Sequence, residues 1–287
     1  MSSKITILGI GKSGVNIANE ISQYPDYQCL TIDNESNKHK KVKHYKVKKY
    51  KSPEDYEQYI SDLSLDIFFR NIKEKTYVVV CGASIISGAT LAILQKIKDR
   101  TKIHILYIKP DVEFLSEIKS LQEKVVYNVL QEYTRSGVFE EIILLSNREI
   151  EKSIVDGVSM FEYHQKINEV VVRTFHFINF LNGSSSHINN WSETSMISRI
   201  STLGVMEIVG GEEKTFFPLD TVREKCYYYV VPHEVFQTDK TLHLKIKEQL
   251  KRKKEQQKGC KISYGIYESD YNESFAFVIS RSSEIQR

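Results

Sequence analysis

The sequence predicts an α/β protein: a parallel sheet covered on both faces, then a long helix, then a smaller α+β domain. Three observations carry that expectation. Short apolar runs alternate with helical stripes through residues 4–146. A single helical stretch, 159–181, is longer than the others. Beyond it the pattern is mostly strands.

The elements follow in order. Residues 4–10 (KITILGI) are an apolar run ending in glycine, hence a buried strand, and 13–23 continue with helical spacing. QCLTID (28–33) and TYVVVCG (76–82) are further core strands. Residues 88–99 form a helix with Leu91, Leu94 and Ile97 on one stripe. KIHILYI (102–108) is a strand, 114–134 a helix and EEIILLS (140–146) a strand. The long helix places Ile167, Val170, Val171, Phe175, Ile178 and Leu181 on its apolar side, and NGSSSHINN (182–190) breaks it. A short helix is expected near 193–201. Strands at 203–209, 225–231, 260–267 and 273–280 follow, with a charged helix at 240–257. The expected division is a nucleotide-binding domain at 1–181 and an α+β domain at 182–287.

Composition narrows the class. Of the 287 residues, 41% are apolar and 27% charged, as in ordinary globular chains, and five prolines argue against long disordered linkers. A net charge of +3 is too small to imply nucleic-acid binding. The four cysteines lie far apart, which reads as free thiols in a reducing, cytoplasmic setting. The N-terminus runs straight into a strand, and no apolar run reaches the roughly 18 residues of a membrane span.

The chemistry concentrates in ILGIGKSGVNIANEI, residues 7–21. Gly9, Gly11 and Gly14 spell G-x-G-x-x-G between a strand and a helix. The backbone N–H groups of such a turn, with the helix dipole, favour phosphate, and Lys12 and Ser13 lie within it. Asp33 ends the second strand, where a dinucleotide-binding fold places an acid. A P-loop is excluded, because its first glycine would fall on Thr6. A tight turn holding no ligand stays open as an alternative. A second loop, Gly82-Ala83-Ser84-Ile85-Ile86-Ser87-Gly88, also joins a strand to a helix. Two helix N-termini directed at one site suit a polyphosphate. Asn147 follows the last strand of the series and Asn168 lies near the start of the long helix. Amides donate and accept together, which suits the edge of guanine.

This set, in this order, resembles the tubulin/FtsZ family of GTPases across nearly the whole chain. Gly9 to Ile21 is similar to the family's first glycine-rich loop, including Asn16 and Asn19. Residues 82–88 stand where the family carries G-G-G-T-G-[ST]-G, and Gly82, Ser87 and Gly88 keep that pattern. Lys109-Pro110-Asp111 looks like the sugar-binding loop. The resemblance puts Asn147 and Asn168 at the base, with Tyr163 or His164 near enough to stack on it, and Ala83 beside the phosphates. It implies GTP or GDP as ligand, with Mg2+ accompanying GTP, and head-to-tail self-assembly into an oligomer or filament.

Three departures qualify what the resemblance implies. Ser84, Ile85 and Ile86 replace a glycine, a threonine and a glycine, and β-branched residues resist φ > 0 and close approach to phosphate. The acids that activate water in the family fall on Ser192 and Ser195, leaving Glu193 as the nearby carboxylate, so slow or absent hydrolysis is expected. Finally, eight lysines crowd Lys38–Lys51. That run reads as a solvated edge strand, as a surface for nucleic acid or another polyanion, or as lysines folded over the phosphates. Two rival functions stay beside the weakly hydrolysing cytoskeletal or scaffolding subunit. One is an active polymerising GTPase using Glu193. The other is a non-polymerising adaptor with a vestigial nucleotide site.

Overall fold

The computed structural model describes residues 4–154, 159–208 and 211–287. β1 (Ile5–Ile10) runs directly into α1 (Gly11–Ile21), followed by β2 (Tyr27–Asp33) and β3 (Val42–Lys46). Next come α2 (Pro53–Asp62) and the single turn α3 (Asp66–Phe69). β4 (Lys75–Val80) leads through a 3-10 segment at Ile85–Ala89 into α4 (Thr90–Ile97). β5 (Lys102–Lys109), α5 (Glu117–Arg135), β6 (Glu141–Ser146) and α6 (Asn147–Ser153) complete the first half. α7 (Tyr163–Asn182) crosses to β7 (Ile188–Asn189), β8 (Ile200–Met206), β9 (Glu213–Thr215) and β10 (Glu224–Pro232). α8 (His233–Thr238), α9 (Leu242–Gln256), β11 (Lys261–Ser269) and β12 (Phe275–Ser282) finish the chain.

The strands form one sheet in the order β3-β2-β1-β4-β5-β6-β8-β12-β10-β11-β7, with β9 on β8. From β3 to β8 every neighbour is parallel. The turns that leave β1, β4, β5 and β6 therefore all emerge at one end of the sheet. The two halves meet where β8 pairs with β6, through Ile142 with Ile200 and Ile143 with Ser201. Thr202 Oγ1 strengthens that seam by donating to Leu144 O at 2.8 Å. Arg281 of β12 reaches back across β8 to Glu141 of β6, with Nε 3.3 Å from the carboxylate. Burial alone would raise Glu141, but Arg281 and His104 outweigh it and hold the carboxyl at about 2.

Helices cover both faces, as the apolar runs require. α1 and α7 lie on one face, where Ile17, Ala18 and Ile21 join Val171, Val172 and Phe175 in a core that continues to Tyr228, Tyr267 and Phe277 beyond the seam. The opposite face of the first half buries α2 to α5 around Tyr56, Ile93, Tyr107 and Leu130. A third cluster packs Ile246 and Leu250 of α9 on Tyr227 and Tyr229. Among the described residues, no helix is long and apolar enough to cross a membrane.

Two details differ from expectation or sharpen it. The short helix expected at 193–201 is absent: residues 190–199 lack regular secondary structure apart from a turn, and β8 begins at Ile200. Tertiary bonds override local propensity there. Asn190 N–H donates to Tyr264 O at 2.9 Å and Ser195 N–H to a Glu224 carboxylate oxygen at 2.9 Å. Within the lysine run, β3 is the outermost strand beside β2. Lys43 Nζ caps the turn of α3 by donating to Phe68 O at 3.0 Å, so part of the run has a structural task.

Trp191, the only tryptophan, is 39% exposed and packs on Tyr228 with ring centroids 5.1 Å apart. Its indole lies so close over Gly265 that a Cβ there would sit 2.5 Å from the ring. Gly265→Ala should therefore lift the indole, shift its fluorescence to the red and cost about 1–3 kcal/mol in urea unfolding. An unchanged emission maximum would show that the indole does not depend on that contact.

Candidate nucleotide-binding site

The first glycine loop is built by close approach. A Cβ at Gly14 would lie 2.6 Å from Val79 O, and one at Gly9 would lie 2.2 Å from Gly14 O. Only hydrogen at these positions lets the first turn of α1 rest on the backbone of β1 and β4. Gly11 has φ +69°, the left-handed region that favours glycine. Helix α1 therefore starts immediately at the C-terminal end of β1, with its unpaired N–H groups at the end of the sheet where the other loops emerge. Lys12 and Asn16 are exposed there and Ser13 is partly buried. Asp33 is buried nearby. Burial pushes its carboxyl up, while the N–H of Asn34, His44 and Lys12 pull it back.

The second loop stands against the first but does not form an open cradle. Ile86 is 3% exposed and belongs to the core beneath α4. A Cβ at Gly11 would lie 2.9 Å from Ile86 Cγ2 and 3.2 Å from Ser84 Oγ. Side chains thus occupy the space beside the one left-handed residue of the first loop. The loop also uses its own polar groups: Ser87 Oγ donates to Gly82 O or Ser84 O, at 2.7 and 2.6 Å. Gly82 sits over Tyr107 and the backbone of Glu123, and Gly88 against Pro53. No described non-glycine residue has positive φ, so Ile85 and Ile86 are unstrained. The segment is a 3-10 turn instead of a glycine cradle. Ala83 follows Gly82 just before that 3-10 segment and is partly buried.

The remaining predicted residues divide into two groups. Asn147 is the first residue of α6 and is partly buried. Tyr163 opens α7, where burial and the Glu151 carboxylate raise its hydroxyl pKa, with Asp111 of the loop after β5 adding to the effect. Those contacts bring the loop after β5, α6 and the start of α7 together. Asn168 lies one turn further along α7, partly exposed. α1 runs beside α7: Tyr24 stacks on His176 at 3.6 Å, and Glu20 lies near Glu169. Asn16, one turn before Glu20, accordingly faces the N-terminal part of α7. Lys109 belongs elsewhere. Its ammonium sits 3.9 Å over the Tyr127 ring and lines a cavity with Glu123 and Lys124. Burial lowers its pKa and Glu123 partly restores it. Glu193 is exposed in the loop before β8, at the opposite end of the sheet.

Asn19, which the resemblance matched, has its side-chain amide engaged within the fold, and Glu224 and Glu123 were not named from sequence. Asn19 pairs with Asn37, whose Nδ2 donates to Asn19 Oδ1 at 2.8 Å, tying α1 to the β2–β3 connection. Glu224 is the buried carboxylate nearest the loop of Glu193, and it holds Ser195 N–H. Glu123 supports Tyr107 under Gly82, accepting from its hydroxyl at 3.0 Å. Glu123 was detectable, because with Val126, Tyr127 and Leu130 it occupies the apolar stripe of its helix. Neither pairing with a distant residue had such a signal.

No protein-family model and no curated protein matches the sequence. Solved structures do match the fold. An empty FtsZ dimer from M. jannaschii aligns over 99% of this chain and 89% of its own, with TM-score 0.71 and 10% identity. The GTPγS-form protofilament of TubZ from Bacillus thuringiensis serovar israelensis aligns over 98% and 87%, with TM-score 0.72 and 15% identity. CetZ1 from Haloferax volcanii, a GDP-bound monomer, aligns over 98% and 94%, with TM-score 0.69 and 15% identity. The chain has the tubulin/FtsZ-like fold that the motifs pointed to.

Two measurements probe the local geometry. Ile86→Ala should cost about 2–5 kcal/mol of stability and yet raise GTP affinity about tenfold, equivalent to ~1.4 kcal/mol. Unchanged affinity would mean that Ile86 does not crowd the phosphates. Separately, burial and then Glu169 push Glu20 up to about 7, with Arg173 opposing. A folded value above the ordinary 4.5 means that stability present at lower pH is lost as pH rises through about 7. Glu20→Gln should melt above the wild type at about pH 8 and converge with it near pH 4. Parallel melting curves at both pH values would contradict the contact.

Proposed function

We propose that the chain is a self-assembling cytoskeletal or scaffolding subunit that holds guanine nucleotide loosely and hydrolyses it slowly or not at all. The observation that carries this reading is the pairing of an intact first loop with a second loop filled by Ile86. The left-handed Gly11, the open start of α1 and exposed Asn16 fit a phosphate and a base edge. Ile86 and Ser84 beside Gly11 remove part of the room that a triphosphate needs. Asn147, Tyr163 and Asn168 are the residues assigned to the base, and Mg2+ would accompany a triphosphate through its phosphate oxygens. Among the described residues there is no cluster of three His, Cys, Asp or Glu arranged to hold a metal by itself.

Weak hydrolysis follows from the loop before β8. Ser192 and Ser195 lack a carboxylate, Glu193 is exposed, and Glu224 is committed to Ser195 N–H. Self-assembly draws support from the fold, because the TubZ structure of like fold is a protofilament. In such an assembly residues 1–181 would present the nucleotide face and 182–287 the facing loop. The adaptor reading is favoured by Ile86 alone.

Calorimetry with GTP, GDP and ATP tests the base assignment. Guanine nucleotides should bind at least about tenfold more tightly than ATP, and Asn168→Ala should remove about 1–3 kcal/mol by leaving a base group unpaired. Equal affinities for GTP and ATP would sink it. Ser192→Asp combined with Ser195→Asp should raise phosphate release. Brisk wild-type release that survives Glu193→Ala would place the chemistry elsewhere.

A further inference from the structure

Large apolar side chains stand uncovered at both ends of the sheet. At the end where β1, β4, β5 and β6 finish, Phe114, Ile118, Met160 and Phe161 each keep 82% or more of their surface. They belong together by connectivity. Phe114 and Ile118 follow β5 into α5, and Met160 and Phe161 precede α7, whose first residue lies near Asp111. At the other end, the loop leading into β8 exposes Met196 at 83% and Ile197 at 70%. That loop lies at the starts of β5 and β6, since Thr194, Ser195, Met196, Ser198 and Arg199 line a cavity with His104 and Glu141.

We propose that a second copy of this chain stacks on each end through these apolar residues, so that assembly proceeds without bound nucleotide. The inference rests on the head-to-tail reading above and deepens it by naming what drives the contact. Leaving six large apolar side chains in water is unfavourable, and burying one gains about 1.5–3 kcal/mol. Such patches mark contact surfaces. One copy supplies the upper patch and the next supplies the lower, so a single repeated contact covers both. A contact between unlike faces is heterologous and propagates. Charge fits the same pairing, with exposed Lys12 at the upper end and exposed Glu193 at the lower. The contact relies on apolar burial at positions that need no γ-phosphate, which suits a chain whose second loop is filled by Ile86.

The test uses sedimentation velocity of the full chain in nucleotide-free buffer, then with GTP. Met160→Ser with Phe161→Ser disables the upper patch, and Met196→Ser with Ile197→Ser the lower. All four side chains are exposed, so thermal melts should match the wild type. The wild type should form large species without nucleotide, and each double variant should lose them. Mixing the two variants should give dimers and nothing larger, because each partner keeps one working end. Assembly that requires GTP, or that persists in either double variant, would overturn this inference while leaving the head-to-tail reading in place. A wild type that stays monomeric with and without GTP would overturn both.

Discussion

The architecture of the upper end depends on one contact, the backbone of α1 against the backbone of the sheet at Gly14. Val79 O lies where a Cβ would be, and Gly9 backs onto Gly14 from the other side. This closeness fixes where α1 begins and sets its first turn beside Ser84 and Ile86 of the loop after β4. It also sets α1 deep enough for Tyr24 to stack on His176 of α7. α7 in turn lines the core on both sides of the β6–β8 seam, with Phe177 stacked on Phe277 at 5.5 Å. A glycine pattern of six residues thereby governs the relation of the first loop to the helix that joins the halves.

Against that frame of backbone contacts, the second loop takes a different course from a glycine cradle. Burying the Ile86 side chain stabilises the fold by about 1.5–3 kcal/mol. A charge-assisted hydrogen bond from a loop N–H to a phosphate contributes about 1.5–3 kcal/mol. The two are of equal size, and only the first is present whether or not a ligand is bound. Under the reading proposed above, a loop filled this way exchanges part of its ligand affinity for stability without a ligand. The same preference shows in Ser87, whose hydroxyl satisfies the loop's own carbonyls. The loop before β8 is likewise held by protein groups, with Glu224 on Ser195 N–H.

Local periodicity made most of the fold legible. The buried strands, α1, α5, α7 and α9 read directly from alternating or helical apolar spacing, and an edge strand was one of the three readings of the lysine run, whose β3 is outermost. α2 was overlooked although its signal is present: Ser52 caps it by accepting from Asp55 N–H at 3.1 Å, and Pro53 is its first residue. The irregular course of 193–199 was not legible, because bonds to Tyr264 and Glu224 decide it and both are distant in sequence. The seam has the same character, since the pairing of Ile142 with Ile200 is set by three-dimensional closure. In the candidate site, the glycines announced their positions. The sequence did not reveal that Asn19 would be taken by Asn37, that Lys109 would lie over Tyr127, or that Ile86 would turn inward against Gly11.

The central claim is that the first loop can receive a guanine nucleotide while the second is too full to retain it. The most direct test is the nucleotide that stays with the protein through gel filtration, extracted with acid and separated by ion exchange. The account predicts only traces, all of guanine. One guanine nucleotide retained per chain would show that the loops close on phosphate despite Ile86, and adenine in the extract would show that the asparagines read a different base.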